Sequence, residues 1–380
     1  MENKRYANII MQTLLANKEK IFEIKKKVEE KDMSLYNIIE IPNIPITNDT
    51  ISIVMTSCNR TTQTYFTLKT IMNSSFKEIQ LILVDDSDKD PIMKEELEKY
   101  PFYIDFIKIR SDNKNWVNPV VNYNIGFQYI KGSKVIIQNA EVCHVGDVLA
   151  YISTYITQDS YYICDVISSK SIETNNIIYN IENLKTEIYN NKELFGIWYQ
   201  SNERLLNYHF LSGMTIDTFN KVKSFSYDYT MGISYDDDDF LLKIIANKIQ
   251  IKNLFYNEYN FGGIHLWHNS NIKILRKKKI ENNQSIFIKK KLHYEKNNEY
   301  IDIITLKNII NINLNKKTDL LELQNLILNF IDDKIINFYI DKKIITPEIN
   351  TFRKCYLKGY CYKNSGIKIP KNIIIKFYYR

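Results

Sequence analysis

The chain has 380 residues, 44% apolar and 13% aromatic, which suffices for a substantial core and suggests two or three folding units. Charged residues at 25% are ordinary, which excludes a globally disordered or low-complexity chain. The net charge of +7 hides an asymmetry: residues 269–380 carry 23 Lys+Arg against 10 Asp+Glu, a surplus of +13, and the first 268 residues are net acidic at −6.

Residues 1–40 read as a helix, with Ile10, Leu14, Ile21, Ile24 and Val28 on a three-four spacing. Two uses of that stripe stay open: a short coiled coil that pairs two copies, or packing on the main domain. Pro42, Pro45 and the Thr47-Asn48-Asp49-Thr50 cluster then end the helix and form a linker. From residue 51 short apolar strands alternate with helices: strands over 51–56, 80–84, 106–109 and 134–138, helices over 61–75 and 119–130. That alternation predicts βαβ units and a mostly parallel sheet, whose ligands sit beyond the carboxyl ends of the strands. Beyond residue 269 basic clusters stand in an Asn-rich setting, followed by a helical stripe over 318–330 and strand-like segments over 334–340 and 372–379.

Glycine is scarce. Eight of the ten fall between Gly126 and Gly263, which marks places where the backbone needs φ > 0 or a close approach. The five cysteines, Cys58, Cys143, Cys164, Cys355 and Cys361, form no C-x-x-C pair and no even framework, so a reduced protein is expected. No secretory signal and no run of about 18 apolar residues is evident, so the expectation is a soluble, cytoplasmic protein.

The strand ends carry the polar chemistry. The first runs into Thr56-Ser57-Cys58-Asn59-Arg60, the second into Asp85-Asp86-Ser87-Asp88, and the fourth into Gln138-Asn139-Ala140-Glu141, followed by His144 and Asp147. Turns are polar anyway, and Asp, Asn or Ser often begin helices, but three such ends converge on one sheet edge.

On these residues the chain resembles family 2 glycosyltransferases of the GT-A fold. The stretch ISIVMTSCNR … LILVDDSDKD is similar to that family's opening strand, Thr/Ser-x-x-Asn turn, helix and second strand ending in Val-Asp-Asp. Asn122-x-Asn124-x-Gly126 resembles the Asn-x-Gly helix ahead of the metal motif. The likeness spans roughly residues 50–268. It implies an α/β GT-A fold, Rossmann-like, with a mostly parallel sheet flanked by helices, an N-terminal helix and a basic C-terminal α+β extension. The expected boundaries are 1–48 for the helical segment and linker, 49–270 for the catalytic domain and 271–380 for the extension.

The resemblance implies a nucleotide-diphosphate-sugar donor, UDP-sugar favoured, bound by Thr56, Asn59, Arg60, Asp85, Asp86, Asn124 and Asn139. Asp86, with Asp85, would accept from the base, since an ionised acceptor makes the stronger hydrogen bond. Where the family usually has Asp-x-Asp for Mn²⁺ or Mg²⁺, this chain has Asn139-Ala140-Glu141, one carboxylate in place of two. Glu141 and Asn139 would offer oxygens to the metal. His265 or His268, in Gly262-Gly263-Ile264-His265-Leu266-Trp267-His268, would complete the site. The segment Gly232-Ile233-Ser234-Tyr235-Asp236-Asp237-Asp238-Asp239 resembles the family's Gly-x-x-Glu-Asp motif. Asp237, with Asp236 beside it, would therefore be the general base for the acceptor hydroxyl. Four adjacent aspartates also suit a helix N-terminus. Gly213, in an expected turn, Asp238, Trp198 and Trp267 would face the substrate, an aromatic ring being able to stack on a sugar.

The expectation is thus an inverting, non-processive glycosyltransferase of glycan biosynthesis. It would act on an acceptor hydroxyl of a glycan, glycoprotein or small molecule; Gln-x-x-Arg-Trp, usual in processive synthases, is absent. A homodimer through the N-terminal helix or the C-terminal extension, and peripheral membrane association through the basic tail, are further expectations. Two other readings stay open: a non-catalytic GT-A module that binds nucleotide sugar or glycan, and nucleic-acid binding through the tail.

Overall fold

The computed structural model describes residue 17, residues 19–185, 192–269 and 275–303, and three strands beyond them, 309–314, 335–340 and 374–379. The chain divides into two compact units, residues 1–304 and 305–380.

In the first unit, helix α1 covers residues 19–29. Its stripe of Ile21, Ile24 and Val28 is buried in one core with Val54, Ile82 and Val135 of the sheet, so these three residues pack on the main domain. Ile10 and Leu14 lie outside the described residues. The helix does not continue to residue 40 as the spacing suggested. Lys31 sits in the left-handed region at φ 54, and Tyr36–Pro42 forms strand β1, antiparallel to β4 (Tyr103–Ile109). The β-branched Ile38, Ile39 and Ile41 suit that pleat.

Strand β2 (Ile51–Ser57), helix α2 (Thr61–Met72), strand β3 (Ile79–Asp85), helix α3 (Val120–Phe127) and strand β5 (Lys134–Gln138) follow the expected alternation. β3 is buried along its whole length, as befits a central strand covered on both faces. Gly126 lets α3 lie directly on the sheet: a Cβ there would fall 2.9 Å from Val54.

The chain continues through β6 (Val142–Val145), α4 (Val148–Tyr155), β7 (Ser160–Cys164), β8 (Val166–Ser169), β9 (Phe195–Gln200), β10 (Leu211–Thr215), α5 (Asp236–Ala246), β11 (Gln250–Leu254), β12 (Gly262–His265) and α6 (Leu275–Asn297). The large sheet has the order β1-β4-β3-β2-β5-β10-β7-β11. The run from β4 to β5 is parallel, as is β7 with β11, while β1 and β10 pair antiparallel. A four-stranded sheet, β6-β12-β8-β9, stands beside it.

From β2 the chain builds outward through β3 and β4, then returns to place β5 on the other side of β2. The carboxyl ends of β2 and β5 therefore flank a topological switch point, where open α/β sheets bind ligands.

Two expected turns are strands. Gly213 lies within β10 between β5 and β7, and a Cβ there would meet Ile152 and Ile156 of α4 at 3.1 and 3.2 Å. Gly262 and Gly263 open β12, where added Cβ atoms would fall 2.7 Å from the Asp165 carbonyl and from Val142. These close approaches are to neighbouring strands, not to a ligand.

Helix α6 begins inside the segment expected to be an extension, yet it contacts α5 and belongs to the first unit. The second unit contains three parallel strands in the order β13 (Ile309–Leu314), β14 (Ile335–Ile340) and β15 (Ile374–Tyr379). The helical stripe expected over 318–330 lies outside the described residues. Among the described residues no helix is long and apolar enough to cross a membrane.

Candidate active site

A cleft of ≈ 250 Å³ opens at the switch point, lined among others by Thr56, Arg60, Asp86, Lys114, Asn122, Tyr123, Asn139, Glu141, His209, Asp236 and Asp237. Seven residues expected from sequence therefore meet in one place: Thr56 and Arg60 after β2, Asp86 after β3, Asn139 and Glu141 after β5, and the acid pair at the start of α5.

On one side, Asp86 Oδ2 accepts from Lys114 Nζ at 2.5 Å and from Asn122 Nδ2 at 3.0 Å. Lys114 and Asn122 escaped the sequence reading. Lys114 is one lysine in a lysine-rich chain, and Asn122 stands two positions from Asn124, the residue that the resemblance implies. Residues two apart on a helix point about 200° away from each other, so only one of the pair can face the cleft. Asn124 instead accepts from Phe225 N and donates to its carbonyl, at 2.8 and 3.0 Å, clamping a buried segment.

Asp85 and Asn59 also serve the scaffold. Asp85 is fully buried and accepts from the backbone of Ser87 and Ile92. Its carboxyl is pushed up by burial, against the pull of those hydrogen bonds. Asn59, at φ 55, donates to Asp88 and accepts from the backbone of Lys89 and Asp90. Together they fold the loop that presents Asp86.

Glu141 sits at the cleft floor, 1% exposed. Its Oε1 pairs with Arg60 Nη1 and lies 3.5 and 3.6 Å from His265 Nε2 and His268 Nε2. Burial alone would raise this carboxyl, but the Arg60 charge and the two histidines hold it below the usual range. Burial, then the Arg60 charge, depress His268 to about 4, leaving a neutral imidazole at neutral pH. Ligand atoms of Glu141, His265 and His268 lie within 4.8 Å of one another, and the buried Glu141 Oε2 has no hydrogen-bond partner. A buried carboxylate with one unpartnered oxygen and two imidazoles close by is a donor set that suits a divalent cation. Asn139 lines the cleft, its Oδ1 accepting from Tyr123 Oη at 3.3 Å.

On the other side stands the first turn of α5, which holds all four aspartates. Asp236 Oδ1 accepts from Asn118 Nδ2 at 3.1 Å. Burial and then the Asp237 charge raise Asp236 to about 6. Asp237 Oδ1 lies 2.9 Å from His209 Nδ1, a histidine packed among Tyr123, Phe225 and Phe240. No sequence spacing pointed to His209. Asp238 lies off the cleft's lining and accepts from Tyr208 Oη at 2.9 Å.

Because Asp236 is raised above its unfolded value, its neutral form favours the fold, and that benefit is lost as pH rises through about 6. Asp236→Asn should therefore stabilise the protein at pH 7, by on the order of 1 kcal/mol after allowance for partial exposure, and much less at pH 4. An equal shift in thermal midpoint at both pH values would contradict the assignment.

The two tryptophans do not line the cleft. Trp198 packs on the small cluster of Cys143, Val145 and Ile167, and Trp267 exchanges backbone hydrogen bonds with the buried Asn175 amide at 2.8 and 3.0 Å. His144 is buried against Gln138 Oε1 at 2.9 Å.

The open α/β sheet thus gathers polar groups at its switch point, with Asp86 and the acid pair of Asp236 and Asp237 lining one cleft. Residues 52–214, a little under half of the chain, match the family model described as Glycosyl transferase family 2. The match ends before the acid pair and the two histidines. Similar solved structures include S. aureus TarS (12% identity, 82% of this chain and 54% of that one, TM-score 0.39). Others are the mannosyltransferase PcManGT from Pyrobaculum calidifontis in complex with GDP-Man and Mn²⁺ (10%, 70% and 69%, 0.37) and GalNAc-T7 with UDP, GalNAc and Mn²⁺ (13%, 58% and 44%, 0.39). The chain spans about half the length of that TarS structure. The comparison with curated protein sequences found no match.

Proposed function

We propose that the protein is an inverting glycosyltransferase that takes a UDP-sugar and transfers the sugar to an acceptor hydroxyl, with Asp237 as general base. The observation that carries this reading is the single cleft in which Asp86, Glu141 and Asp237 face one another.

Uridine is favoured by the pattern around Asp86. Lys114 Nζ and Asn122 Nδ2 both donate to Asp86 Oδ2, so two further donors stand beside an acceptor carboxylate. The uracil edge offers an acceptor, a donor and an acceptor, which complements donor–acceptor–donor; guanine offers two adjacent donors and does not. Lys114→Met should raise the KM for the donor by roughly 10–100-fold, the usual worth of a hydrogen bond to a charged group, with kcat little changed. Equal KM values for the two proteins would remove the base-recognition role.

Across the cleft, Asp237 takes the acceptor proton as the sugar's anomeric carbon is attacked, and general base help of this kind is worth about 10²–10⁴-fold. Arg60, beside Glu141, offers fixed positive charge toward the departing diphosphate. A divalent cation, when bound by Glu141, His265 and His268, supplies further charge stabilisation to that leaving group.

The test is a panel of nucleotide sugars, with and without Mn²⁺, scored for release of nucleoside diphosphate. Release from a UDP-sugar, enhanced by Mn²⁺, is expected. Nucleotide binding with no release from any donor would favour a binding module instead.

A further inference from the structure

We infer that Asn283, on helix α6, is a positioning residue for the acid pair; this rests on the catalytic reading of Asp236 and Asp237. Helix α6 lies outside the residues that match the family model.

The turn that feeds Asp236 is strained. Ser234 and Tyr235 are consecutive non-glycine residues in the left-handed region, at φ 64 and 66, a conformation that persists only where surrounding contacts enforce it. Those contacts come from one stripe of α6. Asn283, 1% exposed, donates from Nδ2 to the Ser234 carbonyl at 2.9 Å and more weakly to the Tyr229 carbonyl at 3.4 Å. One turn earlier the Lys279 carbonyl accepts from Ile233 N at 3.3 Å, and one turn later the Phe287 ring stacks on Tyr235 at 5.8 Å.

Gly232 is part of the same device. A Cβ on it would fall 1.9 Å from Asn283 Oδ1, so the absent side chain is what admits the amide. Among the described residues, the Asn283 amide is the side-chain donor that ties the Ser234 carbonyl. Asp236 and Asp237 follow directly, and their orientation toward Asn118 and His209 depends on that turn. A displacement of about 1 Å in such a group can cost on the order of 100-fold in rate.

The experiment is a double-mutant cycle on the full chain, with Asn283→Ala, Gly232→Ala and the pair, and with Ser285→Ala on the same helix as a control. Each single substitution should lower kcat by roughly 10–100-fold, while donor KM and the Kd for UDP stay within about twofold, as for a group acting through the base. The pair should be no worse than Asn283→Ala alone, because removing the amide makes room for the new methyl. The acid limb of the pH–rate profile should move in both single variants. Additive losses, or losses that track thermal midpoint with an unmoved pH profile, would overturn the positioning role in favour of a brace for the fold. A wild-type protein with no turnover on any donor, or an Asp237→Asn protein that retains turnover, would instead remove the reading beneath it.

Discussion

Asp237→Asn is expected to lower kcat by about 10²–10⁴-fold and to leave the KM for the donor within about twofold. The amide keeps the size of the carboxylate but cannot take the acceptor proton. The four consecutive aspartates are separated by the helix itself, since neighbours stand about 100° apart, and each meets a different surrounding. Asp239 is 1% exposed and paired with Lys290. Asp238 is held by Tyr208 and Asp236 by Asn118. Asp237 lines the cleft with its side chain 29% exposed, and its neighbour there is His209 at 2.9 Å. Asp236 lines the same cleft but is engaged by Asn118, which leaves Asp237 as the proposed base for an incoming hydroxyl. Single-turnover and steady-state rates on the donor that supports wild-type activity check the prediction. Turnover within threefold of wild type would move the base to Asp236.

The strand-end side of this cleft was legible in the sequence because it is local. Thr56 ends, and Arg60, Asp86 and Glu141 follow, strands whose apolar runs are plain to read, and the sheet's topology brings strand ends together. The rest was not legible, for two physical reasons. The choice between Asn122 and Asn124 depends on the rotation of one helix about its axis, which composition does not fix. The role of α6 was hidden because its burial runs against the usual pattern: Asn283 and Lys290 are 1% and 0% exposed, whereas Ile288 and Leu292 are 47% and 58% exposed. A helix that buries its amide and its ammonium beside Ile286 while presenting Ile288 and Leu292 outward reads, by periodicity, as part of a basic tail. Its partners, Asp239 on α5 and Ser234 before it, are some 50 residues away in sequence, and no spacing rule connects them.

Lys290→Met is expected to cost about 3–5 kcal/mol at pH 7, the usual consequence of removing one member of a buried ion cluster. Lys290 Nζ lies 2.9 to 3.2 Å from carboxylate oxygens of Asp228, Asp239 and Asp302, and Tyr300 Oη is 2.8 Å away. Methionine fills comparable volume, so the loss is electrostatic rather than a cavity, and Asp228 and Asp239 would stay buried without their cation. Lys243, the other ammonium nearby, is engaged with the Ser224 carbonyl at 2.6 Å and is itself pushed down by burial. The pH dependence separates this from packing. In the native protein burial would raise the Asp302 carboxyl, but Lys290 and then Lys243 hold it below its ordinary value. Its stabilising contribution is therefore present above the unfolded pKa and lost only as pH falls through the lower folded one. In the variant Asp302 loses the Lys290 charge that holds it down, so its carboxyl rises and takes up a proton at higher pH than in the wild type. The deficit relative to wild type should thus be largest at pH 7 and shrink toward pH 4. Urea unfolding followed by tryptophan fluorescence is suited to this, because Trp116, Trp198 and Trp267 all lie in the unit of residues 1–304. A deficit under 1 kcal/mol at pH 7, or one that stays constant down to pH 4, would show that the cluster does not hold α5 and α6 together through charge.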